Sequence, residues 1–128
     1  MIALHPQKIE SVLRLDAQAR LDYFIRKIAD SEVVWGLFDT GWATATAEGR
    51  MAIPFWPEQD FAALCADDAW TGFHAETIPL DAFLSRWLPG MEKDQRLCAV
   101  FPAPADNGQL VLPRDLLASI RLELTQYE

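Results

Sequence analysis

The chain has 128 residues, 51% of them hydrophobic, and eleven basic against nineteen acidic side chains give it a formal net charge of −8. That size and apolar fraction suit one core built without metal or disulfide staples. The charge weighs against nucleic-acid backbones and anionic membrane surfaces, both of which are gripped through clustered Lys and Arg. It favours a basic partner, by steering more than by raw affinity.

Cys65 and Cys98 lie in apolar surroundings (Ala-Ala-Leu-Cys-Ala and Leu-Cys-Ala-Val) and read as buried, reduced thiols. The first residues, Met1-Ile2-Ala3-Leu4-His5-Pro6, lack the charged head and apolar run of a signal peptide. No apolar run approaches the roughly 18 residues of a membrane span. The expectation is a soluble, cytoplasmic protein.

In chain order, Pro6 to Asp30 reads as one long helix. Ile9, Leu13, Ala17, Leu21, Phe24 and Ile28 keep to one face, while Arg20, Arg26, Lys27, Asp16 and Asp22 fall mostly elsewhere. A meander follows: a strand over Val33–Phe38, a turn at Asp39-Thr40-Gly41 with Gly41 expected at positive φ, and a strand over Trp42–Ala47. In that second strand one face is Trp and Thr and the other all Ala, so the Ala side is expected beneath a closely packed element. After Glu48-Gly49 the third strand runs from Arg50 to Phe55.

Ile53-Pro54, Ile78-Pro79 and Leu112-Pro113 repeat one small grammar, an aliphatic residue, a proline and then a helix. The first of these helices carries Phe61, Leu64 and Cys65 and fades at Asp67-Asp68. The second carries Leu80, Phe83, Leu84, Trp87 and Leu88 and is expected to stop at Pro89-Gly90. The third runs from Pro113 toward Tyr127 with Leu116, Leu117, Ile120 and Leu124 inward. Between the helices, 72–78, 96–101 and 109–112 read as strands, the last two linked by a loop with Pro102, Pro104 and an Asn107-Gly108 turn. The order α-β-β-β-α-β-α-β-β-α predicts an α+β fold in a single domain over 1–128: a mixed, mostly antiparallel sheet with an N-terminal β-meander, covered by about four helices.

No catalytic constellation has diagnostic spacing. His5 and His74 are the only histidines, no tight cluster supplies the ligands of a zinc site, and no cofactor fingerprint is present. Ser11, Ser31, Ser85 and Ser119 sit in helical contexts, outside any nucleophile elbow. Glu58, Asp60, Asp67, Asp68, Glu76 and Asp81 supply carboxylates, yet Glu58, Asp60 and Asp81 also fall in first helical turns, where the dipole favours negative charge. The more unusual feature is five tryptophans, Trp35, Trp42, Trp56, Trp70 and Trp87. Trp35 and Trp87 share core-facing stripes. Trp56, held between Pro54 and Pro57, and Trp70 flank a helix, and with Trp42 they are the candidates to line a groove for a peptide or ligand; for Trp56 packing is the favoured reading.

The stretches Val34-Trp35-Gly36-Leu37-Phe38-Asp39, Ile53-Pro54-Phe55-Trp56-Pro57, Phe61-Ala62-Ala63-Leu64-Cys65-Ala66, Phe83-Leu84-Ser85-Arg86-Trp87-Leu88-Pro89-Gly90-Met91 and Ala99-Val100-Phe101-Pro102 together resemble the bacterial family of small proteins catalogued as domain of unknown function 2750. The resemblance covers about residues 7–127. It implies a bacterial cytoplasmic protein and brings no activity, cofactor or site residue with it.

The leading functional reading is a non-enzymatic module that binds a protein or peptide. A sharper version is an immunity-type protein neutralising a basic partner, argued by analogy with other small acidic proteins. The runner-up is a small enzyme using carboxylates in a Trp-lined cleft, and the third is a purely structural or homo-oligomeric role, for which a homodimer is the expected form. No cofactor or metal is expected.

Overall fold

The computed structural model describes residues 4–67, 70–104 and 106–127. Its elements in chain order are α1 (Pro6–Leu13), α2 (Ala17–Ser31), β1 (Val33–Asp39), β2 (Gly41–Trp42), β3 (Ala45–Ala47), β4 (Arg50–Phe55), α3 (Gln59–Leu64) and β5 (His74–Pro79). A helix of α4 (Leu80–Ala82), a π-helical stretch (Phe83–Trp87) and α5 (Leu88–Lys93) follows, then β6 (Leu97–Val100), β7 (Gln109–Val111) and α6 (Pro113–Leu124). The α+β class and the mixed, mostly antiparallel pairing agree with the sequence reading.

The single N-terminal helix is in fact two. Asp16 caps α2, its side chain accepting from the Ala19 N–H at 2.8 Å, and a capping Asp competes with helix continuation. The apolar stripe runs across this break because both helices pack on the same core, so periodicity alone could not show it. Arg20 is the second correction: it is buried, in register with Phe24 and Ile28.

Two sheets share the meander. One has the order β2-β1-β5 and the other β3-β4-β6-β7, with β4 and β6 the parallel pair. The predicted second strand is cut in the middle. Gly41–Trp42 pairs with β1, and Ala45–Ala47 pairs with β4, so the chain changes sheets at Ala43 and Thr44. This undoes the uniform Ala face: Ala43 is buried, whereas Ala45 is exposed at an edge strand. At the first turn the left-handed residue is Thr40, at φ 53°, and not Gly41. The Glu48-Gly49 hairpin has both residues left-handed, at φ 53° and 74°, the backbone a two-residue loop needs to match strand twist.

Pro89-Gly90 does not end its helix. The Leu88 N–H bonds Phe83 O, five residues back, and this wider turn accommodates a proline ring that would clash in regular α geometry. Leu64 is the remaining inversion, exposed on α3 while Phe61, Ala62 and Cys65 face inward. The core is strongly aromatic: Trp56, Phe24, Phe55, Phe61, Phe83 and Phe101 are all fully buried, with Phe55–Phe83 and Phe61–Phe101 ring centroids 4.8 and 4.9 Å apart. Helix α6 packs on α2 and α5, and α3 lies against β1 and β5.

Candidate functional site

The loop from Phe101 to Gly108 carries the densest set of long-range polar contacts in the described chain. Phe101 is buried at φ 56°, a conformation that costs a non-glycine residue about 1–3 kcal/mol and persists only where its surroundings impose it. Its N–H is held by Phe55 O at 2.8 Å, extending the β4–β6 pairing by one residue. The next carbonyl, Pro102 O, accepts from Trp56 Nε1 at 2.8 Å and from Cys65 Sγ at 3.4 Å. Ala103 and Asp106 exchange backbone bonds of 2.9 and 3.0 Å, closing a tight loop; Ala105 lies outside the described residues. Gly108 ends it at φ 78°, where an added Cβ would lie 2.4 Å from Val100 O.

Arg20 fastens this loop from below. Its Nε donates to Phe101 O at 3.2 Å, its Nη1 to Leu15 O at 2.8 Å, and its Nη2 sits 2.8 Å from Asp106 Oδ2. The guanidinium is 3% exposed and Asp106 43%. Asp106 also accepts the Gly108 N–H through Oδ1 at 2.7 Å. Arg20 first, and then the Gly108 N–H, hold this carboxyl below the usual range of an aspartate. The residue escaped sequence reading because a cation was assigned to the solvent side. The signal was there: positions 20, 24 and 28 step by four along the buried face of α2.

Beside the loop is a groove of about 250 Å³ lined by Trp70, Asp67, Ala45, Pro104, Asp106 and Asn107, with Pro102 and Cys65 at its base. Trp70 is half-buried. Its Nε1 donates to Thr44 O at 3.2 Å, and its ring meets Trp56 edge-on at 6.0 Å and 90°. The indole thus covers the β3 edge where the chain crosses between sheets.

The three candidate tryptophans do not form one surface. Trp56 is 0% exposed and its N–H is engaged by Pro102 O, so the residue between the two prolines is packed, not presented. Trp42, half-buried, covers Gly36, where a Cβ would lie 2.9 Å from its Cζ3, and meets Phe38 and Trp87 edge-on at 5.1 and 5.0 Å. Of these three, Trp70 borders the groove beside the 101–108 loop.

The carboxylates scatter as well. Glu58 accepts from the Tyr23 hydroxyl, and Asp60 from the Leu4 N–H at 2.6 Å. Burial, reinforced by Glu58, pushes the Tyr23 hydroxyl well above its ordinary range, so the phenol keeps its proton and the pair is a strut between α2 and the entry to α3. Glu58 and Asp60 do share a groove of about 180 Å³ with Trp35. Glu76 meets His74 at 3.2 Å on exposed β5, and Asp81 accepts the Ala82 N–H at 2.8 Å; Asp68 lies outside the described residues. His5 caps α1 through Nδ1, and Ser11, Ser31 and Ser85 each bond the carbonyl four residues back. Among the described residues no three His, Cys, Asp or Glu side chains are placed to hold a metal. Burial raises both thiols, Cys65 to about 11 and Cys98 to about 12, which leaves them protonated and unreactive. A cleft of about 550 Å³ along α2 is rimmed by Lys8, Arg26 and Lys27 but also by Asp22 and Asp30, a mixed field that selects neither sign. No helix among the described residues is long and apolar enough to cross a membrane.

Compared with known proteins, residues 21–120 match a family described as "Protein of unknown function (DUF2750)". No curated protein matches the chain.

Proposed function

We propose a binding function for this chain, which belongs to the DUF2750 family of proteins of unknown function and takes no activity from it. The chain is a non-enzymatic module that receives a short segment of a protein or peptide in the groove beside Trp70. The observation that supports this reading most is the asymmetry of that groove. One wall, the loop from Phe101 to Gly108, is pinned by a buried arginine and a buried tryptophan, while Trp70, Asp67 and Asn107 remain at the surface. A wall fixed in advance lowers the ordering cost of binding. At about 250 Å³ the groove falls below the roughly 300–1,000 Å³ typical of small-molecule sites, so it suits a side chain of a larger partner.

The net charge of −8 favours a basic partner, and an immunity-type role in a bacterial cytoplasm is the biological setting we assign to it. Panning a phage-displayed peptide library against the wild-type chain and a Trp70→Phe variant tests the groove. Binders that weaken on Trp70→Phe support it, and binders indifferent to that change count against it.

A second reading has its own observation, the shared groove of Glu58, Asp60 and Trp35. It is the enzyme alternative, weakened because each carboxylate is already engaged by a fixed donor. A substrate-panel activity that disappears in Glu58→Gln and in Asp60→Asn would establish it over the binding reading.

A further inference from the structure

Two carboxylates, Asp67 and Asp106, line the Trp70 groove, and among the described residues no Lys, Arg or His does. The adjoining cation, Arg20, is 3% exposed and already faces Asp106 from the protein side. Asp106 is not consumed by that contact. A carboxylate offers about four lone-pair sites; Gly108 and Arg20 approach one oxygen each, and 43% of the side chain still meets solvent. Asp67 is exposed. The same groove is lined by the Trp70 indole, a ring type that attracts a cation to its face, and by exposed Pro104, whose apolar ring suits an aliphatic stem.

We infer that the Trp70 groove recognises one cationic side chain, a lysine or arginine in an extended segment of a basic partner, with its stem against Trp70 and Pro104 and its charge answered by Asp67 and Asp106. The inference rests on the groove reading above and names what that groove selects. An acidic side chain would meet two like charges here. A purely apolar one would cover Asp67 with nothing to pair it, which is unfavourable for a carboxylate losing water. Arg20 acts as a positioning residue: its Nη2, 2.8 Å from Asp106 Oδ2, keeps that carboxylate at the groove wall.

The test uses the full chain and the Trp70-dependent peptides from the library. Lysine or arginine should be enriched at one position, and replacing that residue by norleucine in a fluorescein-labelled synthetic peptide should weaken binding about tenfold, or about 1.4 kcal/mol. Asp67→Lys, a change at an exposed position that leaves packing untouched, should weaken it by a similar factor and flatten its salt dependence. Trp70-dependent peptides with no enriched cation, or a norleucine peptide that binds equally well, overturn the cation reading and leave the groove reading standing. A library with no Trp70-dependent binder overturns both.

Discussion

Trp35 and Trp56 exchange a reciprocal pair of backbone hydrogen bonds, Trp35 N–H to Trp56 O at 3.0 Å and Trp56 N–H to Trp35 O at 2.8 Å. This isolated antiparallel bridge ties the three-stranded sheet to the four-stranded one at the point where β4 leaves for α3. Trp56 then sends its indole inward, to Pro102 O. One residue therefore holds together both sheets and the loop that walls the groove.

Trp56→Ala is expected to cost about 3–5 kcal/mol, the range for emptying a large buried aromatic site. Against a total stability of about 5–15 kcal/mol this leaves the chain marginal. Trp56→Phe fills most of the space but removes the donor to Pro102 O, which keeps only the Cys65 thiol, and should cost about 1–3 kcal/mol. Urea denaturation of the variants measures both, and a near-neutral Trp56→Ala would contradict the packing described.

The Arg20–Asp106 pair makes a pH prediction with a definite sign. The folded Asp106 carboxyl lies below its ordinary value of 3.8, so its stabilisation is fully present above that pH and is lost as pH falls further, through the folded value. Asp106→Ala should be less stable than wild type at neutral pH, and the gap should close in acid. Because the carboxylate is 43% exposed, solvent screens the pair; about 1–2 kcal/mol is expected, not the about 3–5 of a fully buried one. A gap that widens below pH 3.8 would reverse the sign.

Gly108 and Gly49 separate two costs of positive φ. At Gly49 an added Cβ meets nothing within 4 Å, so Gly49→Ala should lose only the left-handed penalty of about 1–2 kcal/mol. At Gly108 the same Cβ would sit 2.4 Å from the Val100 carbonyl oxygen, a backbone atom that cannot swing away. Gly108→Ala should be clearly more destabilising in thermal melts; equal melts would mean that the loop relaxes freely.

Neither thiol should react with a soluble disulfide reagent at neutral pH in the folded chain, since both are buried and raised, to about 11 for Cys65 and about 12 for Cys98. Both should react at once in denaturant. Fast native labelling of Cys65 would show that the base of the Trp70 groove opens.

The sequence already shows the class of fold, most strand positions and the helix starts marked by Pro79 and Pro113, because apolar period and proline geometry act within a few residues, although Pro54 lies inside β4 opposite Ala99 and α3 begins only at Gln59. It also determined that Trp56, set between Pro54 and Pro57, marks the joint from strand to helix. What that joint does follows from the folded chain, where Trp56 bonds both Trp35 and Pro102. The burial of Arg20 depends on partners far away in sequence; the break at Asp16, the division of the second strand and the wide turn before Pro89 rest on short-range bonds that apolar periodicity does not register. Arg20 lies 81 residues from the Phe101 carbonyl and Trp56 lies 46 from that of Pro102, and no local pattern encodes a hydrogen bond across such a separation. The groove beside Trp70 exists because those two long-range bonds fix its far wall, and a chain read residue by residue shows its tryptophans and carboxylates without showing which of them face each other.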